Sequence, residues 1–157
     1  MTDPHRLVIA CTAEDDRYAR VRERAVELAG HRAAGLILYD VDAHSPLESP
    51  LPTVWSAEGA ADEFGDRLDP TALEAAGRPA IARQVAAARE GGLEAWGWLP
   101  TAGGLDGLLE YAERQGAELL LVPPDLVEGS PVERLAGGRP EDAREVGRER
   151  GLEIRIV

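Results

Sequence analysis

The chain has 157 residues, of which 44% are apolar and 29% are charged, proportions typical of one globular domain with its own core. The formal charge of −12 repels phosphate backbones and anionic lipid headgroups, so we expect no binding to nucleic acids or membrane surfaces. All 17 basic residues are arginine, which excludes a Schiff-base lysine and the lysine of a P-loop.

The sequence also predicts the compartment. No apolar run approaches the roughly 20 residues that span a bilayer. The apolar run after Met1–Arg6 is shorter than the apolar region of a signal peptide, which has about 7–15 residues. Cys11 is the only cysteine, which excludes an internal disulfide and fits a reducing compartment. We therefore expect a cytoplasmic protein.

Two short apolar runs, Leu7–Cys11 and Leu36–Tyr39, predict strands that are buried on both faces of a parallel sheet. Between them, Thr12 is the predicted N-cap of a helix that ends at Gly30. Acidic residues fill the expected first turn, where the helix dipole favours negative charge, and apolar residues follow at helical spacing: Glu14, Asp15 and Asp16, then Tyr18, Val21, Ala25 and Leu28.

A long irregular segment follows at about 42–69, with a short helix expected around Ala60–Phe64. Asp69 followed by Pro70 predicts the start of the next helix. That helix is expected over Thr71–Glu90, split or kinked by Gly77 and Pro79 and stopped by the glycine pair at 91–92.

The second half of the chain continues the alternation of strands and helices. Leu93–Leu99 is a predicted strand with Trp96 and Trp98 on one face, where packing is favoured over stacking on a flat ligand. Further predicted elements are a helix at Leu105–Gln115, a strand at Glu118–Val122, a helical turn at Val132–Leu135, a helix at Pro140–Arg150 and an edge strand at Leu152–Val157. This order predicts one α/β domain with an open, doubly wound parallel sheet and right-handed crossovers.

The segment Leu105–Val122, with the turn Gly116-Ala117-Glu118 before an apolar strand, resembles the third helix and fourth strand of universal stress proteins. The long segment after the second strand and the glycine pair before the third strand also resemble that family. The resemblance spans nearly the whole chain. It implies a Rossmann-like sheet in the order 3-2-1-4-5, a role in the stress response and dimerisation through the last strand.

The phosphate-binding loop of the family is altered in this chain. Members of the family that bind ATP carry Gly-x-x-Gly-x9-Gly-(Ser/Thr) after the fourth strand, where glycines let backbone N–H groups approach phosphates. The marked positions here are Pro123, Leu126, Ala136 and Gly137, and a gap of one or two residues would bring in Gly129 and Gly138 instead. The resemblance therefore implies a protein that does not bind ATP in the usual way of the family.

A remnant of the nucleotide pocket is still expected where the winding of the sheet reverses, at the carboxyl ends of the strands. The family's Asp-Gly-Ser-like turn is Thr12-Ala13-Glu14 here. With so many acids nearby, an uncharged or cationic ligand is favoured over a triphosphate. The candidate ligand-binding residues are Cys11, Thr12, Asp40, Val41, Pro123, Asp125, Gly129 and Ser130.

Two other kinds of chemistry have weaker support. Cys11 lies at the end of a strand before a predicted helix N-terminus, which can activate a thiol, but the acids that follow disfavour a thiolate. Asp40, Asp42 and His44 alternate like metal ligands, although a solvated loop is favoured. No Gly-x-Ser-x-Gly, His-Glu-x-x-His or Gly-x-Gly-x-x-Gly motif is present, and we expect no enzyme, no metal and no cofactor.

Three hypotheses follow for the function. The first is a non-catalytic stress-response module that acts as a homodimer and through partner proteins, the second a switch that binds ATP or AMP through a rebuilt loop, and the third a redox sensor that uses Cys11. The predicted dimer pairs the last strand with its copy through Leu152, Glu153, Ile154, Arg155, Ile156 and Val157, with Arg155 opposite Glu153.

Overall fold

The computed structural model of the chain describes residues 6–15, 17–41, 67–99, 104–124 and 151–157. The strands in these ranges are β1 (Leu7–Thr12), β2 (Gly35–Asp40), β3 (Ala95–Trp98), β4 (Leu119–Val122) and β5 (Glu153–Ile156). The helices are α1 (Ala19–Arg32), α2 (Pro70–Ala75), α3 (Pro79–Glu90) and α4 (Gly104–Gln115). The helical segments predicted at 60–64, 132–135 and 140–150 lie outside the described residues, as does most of the irregular segment at 42–69.

The five strands form one sheet in the order β3-β2-β1-β4-β5, and every pair of neighbouring strands is parallel. This confirms the predicted fold class and strand order. Every residue of β1, β2 and β4 is buried, as expected for central strands of a sheet that is covered on both faces.

The two edge strands differ in what covers them. On β3, Leu68 forms an antiparallel bridge with Gly97, and each residue donates its backbone N–H to the other's carbonyl, at 2.8 and 2.9 Å. On the other edge, β5 is paired on one side only, with β4. Among the described residues, β5 is therefore the edge at which a further strand can add.

Helices α1, α2 and α3 cover one face of the sheet, and α4 covers the other. Leu36 and Leu38 of β2 lie beneath α1 and α3, and Leu73 of α2 lies against Gly97 of β3. On the opposite face, the ring of Tyr111 in α4 packs on that of Trp98. None of the helices in the described ranges is long and apolar enough to cross a bilayer.

Helix boundaries around α2 and α3 agree with the prediction. The side chain of Asp69 accepts a hydrogen bond from the backbone N–H of Ala72 at 2.8 Å, and Pro70 opens α2. The predicted split is real, because α2 ends before Gly77, which has a left-handed φ of 79°, and α3 begins at Pro79.

The predicted boundaries of the first helix are wrong at both ends. Thr12 is the last residue of β1 rather than an N-cap, and α1 starts only at Ala19, without an acid in its first turn. The strand continues because Thr12 keeps its place beside Asp40 in the ladder between β1 and β2. At the other end the helix passes Gly30 and finishes at Arg32, where Ala33 takes the left-handed C-cap conformation with φ of 52°.

Candidate functional site

The carboxyl ends of β1 and β2 place two polar side chains together inside the protein. Thr12 and Asp40 are register partners at these ends, and both are completely buried. The backbone N–H of Val41 donates to the carbonyl of Thr12 at 3.0 Å, which extends the pairing by one residue. Buried polar groups require partners. Arg78 contacts Asp40, and Gln84 and Arg22 contact Thr12.

Arg78 provides the opposite charge for Asp40. It stands immediately before α3, and its Nε lies 2.8 Å from Oδ2 of Asp40. The side chains are only 7% and 0% exposed, so neither charge is hydrated by bulk water. A buried charge is tolerated only when it is paired, and this ion pair therefore ties the end of β2 to the start of α3. Within the described part of the chain, Nη2 of Arg78 is buried without a hydrogen-bond partner.

Glu14 fills the N-terminus of α3. Its two carboxylate oxygens accept hydrogen bonds from the backbone N–H groups of Ala80 and Ile81, at 2.7 and 3.1 Å. These N–H groups have no partner within their own helix, and they carry the positive end of the helix dipole. A carboxylate from the loop after β1 therefore occupies the place where a helix N-terminus would bind an anion.

Gln84 connects the same loop to α3 by two hydrogen bonds. The hydroxyl of Thr12 donates to Oε1 of Gln84, and Nε2 of Gln84 donates to the carbonyl of Ala13 at 3.3 Å. The Thr12 hydroxyl also accepts a hydrogen bond from Arg22 of α1 at 3.3 Å. We call Thr12, Glu14, Asp40, Arg78 and Gln84 the polar cluster; it joins β1, β2 and α3 through side chains of the protein itself.

The described residues of the predicted remnant pocket do not all lie on the same face of the sheet. Thr12 and Asp40 face α3, whereas Cys11 and its register partner Tyr39 point to the opposite face of the sheet, because successive side chains alternate. Cys11, Val41 and Pro123 are all buried. Asp125, Gly129 and Ser130 lie outside the described residues, and so do Leu126, Ala136 and Gly137 of the altered phosphate loop.

Aromatic rings pack together on the face of the sheet that α4 covers. The rings of Trp98 and Tyr111 stack in parallel, with their centroids 3.6 Å apart. The ring centroid of Tyr39 lies 5.0 Å from that of Trp98. Burial raises the pKa of Tyr39 above its ordinary value, and the neighbouring Cys11 and Asp40 add to this effect. The contact between Trp98 and Tyr111 agrees with the packing interpretation of the tryptophans, since a helix of the same chain occupies this ring face.

The last strand carries the residues of the predicted dimer. Leu152 and Ile154 are buried in the core of their own chain, whereas Glu153 and Val157 are exposed. Arg155 donates to Glu153 within the strand at 3.0 Å, and Arg32 of α1 donates to the same carboxylate at 3.1 Å. Partial burial pushes the pKa of Glu153 up, but the hydrogen bonds from Arg155 and Arg32 outweigh it and hold the pKa below its ordinary value.

The described residues contain no group of three or more histidine, cysteine, aspartate or glutamate side chains able to hold a metal ion. Asp40, one of the three metal ligands considered from the sequence, is paired with Arg78 instead. The other two, Asp42 and His44, lie outside the described residues.

Sequence reasoning missed the roles of Glu14, Arg78 and Gln84. The acids at 14–16 did indicate a helix N-terminus nearby, but the helix that uses Glu14 is α3 and not the next helix in the chain. No sequence signal pointed to Arg78 or Gln84, because a contact between residues so far apart in the chain leaves no periodic pattern.

The open, all-parallel sheet with helices on both faces defines a Rossmann-like α/β protein. Two solved structures are similar to the chain. A universal stress protein solved in complex with cAMP is 22% identical, with a TM-score of 0.51 over 97% of this chain and 95% of that chain. A universal stress protein from Archaeoglobus fulgidus is 16% identical, with a TM-score of 0.47 over 75% of this chain and 73% of that chain. No protein-family model and no curated protein matches the sequence. The chain has the universal stress protein fold, as the resemblance in its sequence implied.

Proposed function

We propose that this protein is a universal stress protein-like, non-catalytic module of the stress response that works in the cytoplasm. It acts as a homodimer and through contacts with other proteins, without a metal or cofactor, and it does not bind ATP in the usual way of the family. The fold supports the general class, and the polar cluster supports the absence of the usual nucleotide site.

The observation that carries this proposal is the occupation of the carboxyl ends of β1 and β2 by the protein's own side chains. Ligands of doubly wound sheets bind outside the strand ends at the point where the winding reverses, which lies between β1 and β4, so the end of β1 is one side of that site. Here Glu14 takes the backbone N–H groups at the start of α3, and Arg78 is neutralised by Asp40. A phosphate that bound at the start of α3 would have to displace the Glu14 carboxylate. At the loop after β4, where the family binds phosphate, Pro123 has no N–H to offer it.

A nucleotide-binding switch is the second candidate, because the similar structure with a TM-score of 0.51 was solved in complex with cAMP. In this hypothesis the altered loop forms a rebuilt site for ATP, AMP or a cyclic nucleotide. The two candidates differ in what the purified protein carries. Nucleotide released by denaturing protein purified without added ligand is expected to be far below one molecule per chain. Stoichiometric release would favour the switch.

The redox-sensor hypothesis has little support from the structure, since Cys11 is completely buried in β1. A buried thiol is shielded from reagents in solution, and buried structural cysteines are inert. Alkylation of Cys11 by iodoacetamide near neutral pH is expected to be slow in the native protein and to become fast only on unfolding in urea. Fast alkylation of the native protein would support the redox-sensor hypothesis.

The proposed homodimer uses the free edge of β5. Leu152 and Ile154 already pack in the core of their own chain, so the new contacts come from the backbone of the edge and from the more exposed Arg155 and Val157. The N–H groups of Glu153 and Val157 donate to β4, so the N–H groups that face the free edge are those of Ile154 and Ile156. Light scattering is expected to give the mass of a dimer for the native protein and of a monomer for Ile156→Pro, which leaves the side chain of Ile154 in the core. A dimer mass for this variant would show that the interface lies on another surface of the protein.

A further inference from the structure

The two edges of the sheet differ in how they are closed. Edge strands expose unpaired backbone N–H and C=O groups, which favour pairing with a strand of another chain. On β3 the direction of these groups follows from the ladder, because Leu36 donates its N–H to the carbonyl of Glu94, whose groups therefore point to β2. Successive residues of a strand alternate, so the groups of Ala95 and Gly97 point away from the sheet.

The outward groups of β3 are bonded to other parts of the same chain. Gly97 exchanges two backbone hydrogen bonds with Leu68, at 2.8 and 2.9 Å, as it would with an added antiparallel strand. The carbonyl of Ala95 accepts a hydrogen bond from Nε of Arg89 at 2.8 Å. The Ala95 carbonyl and both backbone groups of Gly97 are therefore already occupied at the positions where a second chain would pair.

The segment that covers this edge, residues 67–73, is held on both faces of the sheet, and we call it the strap. On the face that α4 covers, the guanidinium carbon of Arg67 lies 4.9 Å from the ring centroid of Trp96. Nε of Arg67 also donates to Oε1 of Gln115 in α4, at 3.0 Å. On the opposite face, Leu73 is completely buried against β3. The strap therefore wraps around the edge instead of lying along one side of it.

This covering affects how copies of the chain can assemble. In the proposed homodimer two copies pair through β5, which leaves one β3 at each end of the joined sheet. A two-fold axis between two β3 strands would place these identical edges antiparallel, with the backbone groups of Gly97 available for pairing in both copies. Because every dimer has two such ends, this pairing would not close, and it would join dimers into a growing ribbon.

We propose that the strap is a stop on assembly, which prevents the β3 edge from pairing with the β3 edge of a second copy and confines pairing between sheets to β5. The limit at a dimer rests on the proposed function. The blocking of β3 does not, because the contacts of the strap lie within one chain.

Amide hydrogen exchange tests whether the edge is closed in the native protein. The N–H of Gly97 is expected to exchange slowly, within about tenfold of the N–H of Leu36, which is bonded inside the sheet. Exchange of the Gly97 amide at the rate of an unprotected amide would overturn the inference.

A variant that opens the strap tests its effect on assembly. In Arg67→Ala/Leu68→Pro, the proline has no N–H to donate to Gly97, and the alanine loses the ring contact and the bond to α4. Combined with Ile156→Pro, which blocks pairing through β5, it is expected to dimerise as concentration rises, with about twice the mass of Ile156→Pro alone by light scattering. In the otherwise native chain it is expected to grow beyond a dimer.

A second variant keeps the backbone bridge and removes two side chains. Arg67→Ala/Arg89→Ala frees the carbonyl of Ala95 and loosens the strap. Its matched control, Arg20→Ala/Arg83→Ala, removes two exposed arginines from α1 and α3. Concentration-dependent growth in mass is expected for the first pair and not for the control.

These masses separate the inference from the proposed function. Unchanged mass of the opened-strap variant, or of Arg67→Ala/Arg89→Ala if the opened-strap variant does not fold, overturns the inference, and so does equal growth of the control. A monomeric native protein would contradict the proposed homodimer alone, since the opened strap would then still be expected to produce dimers through β3.

Discussion

Nε of Arg78 lies 2.8 Å from Oδ2 of Asp40, and the two side chains form a buried ion pair at the carboxyl edge of the sheet. The pair joins the last residue of β2 to the residue before α3. The whole irregular segment lies between them in the sequence, so the pair fixes where the chain returns to the sheet. It also neutralises the two charges inside the protein.

Removal of one partner of this pair is expected to be strongly destabilising. Arg78→Met leaves the Asp40 carboxylate buried without a cation and should lower the free energy of unfolding by about 3–5 kcal/mol. The double variant Asp40→Asn with Arg78→Met should lose less than the sum of the two single variants, because no unpaired charge stays buried. Urea denaturation of all four proteins measures this coupling, and strictly additive losses would show that the pair does not interact as described.

The loop after β1 is expected to depend on Glu14 as a cap for α3. Glu14→Ala removes the acceptor for the N–H groups of Ala80 and Ile81 and should cost about 1 kcal/mol of the free energy of unfolding. Hydrogen exchange at those two amides should become faster. Asp15→Ala is the matched control, since Asp15 is exposed and bonds only to Arg17 among the contacts described for it. Equal effects of the two variants would contradict the capping role.

A side chain at position 97 is expected to destabilise the protein. A β-carbon built there would lie 2.8 and 2.9 Å from the two methyl carbons of Leu73, which is completely buried. Gly97→Ala should therefore destabilise the protein by about 1–3 kcal/mol, the usual cost of overpacking a core. Gly91→Ala, at a helix end with ordinary φ and a nearest contact of 3.4 Å, is the control and should be close to neutral. A native midpoint of denaturation for Gly97→Ala would refute this packing.

Glu153 should make a pH-dependent contribution to stability. Its folded-state pKa lies below the ordinary value of 4.5 because Arg155 and Arg32 bond to the ionised form. Its contribution is therefore fully present above that ordinary value and is lost as pH falls through the lower folded-state pKa. Since the side chain is 46% exposed, we expect no more than about 1 kcal/mol. Glu153→Gln should be less stable than the native protein at pH 7, and the difference should disappear in acid; a constant difference would exclude this linkage.

The fold was predictable because its signals are local. Continuous apolar runs mark the central strands, Asp69-Pro70 marks the start of α2, and Gly77 with Pro79 marks the break before α3. The first helix was placed too early because Thr12 followed by acids is a good capping sequence. In the folded chain the pairing of Thr12 with Asp40 in the sheet, and the use of Glu14 by α3, outweigh that local preference.

The candidate site was predictable only in part. The strand ends at Thr12, Asp40 and Val41 were found, because ligands of parallel sheets bind at that edge. Their partners Arg78 and Gln84 come from a helix reached through a long intervening segment, and only the three-dimensional arrangement brings them there.

The central claim is that the usual nucleotide site of this fold has been lost. Its most direct test is equilibrium binding of ATP, AMP and cAMP, each with and without magnesium, to protein first cleared of any carried-over nucleotide. We predict no saturable binding at millimolar nucleotide for the native protein. Micromolar binding of any of the three by the native protein would contradict the account and would make a nucleotide switch the function to pursue.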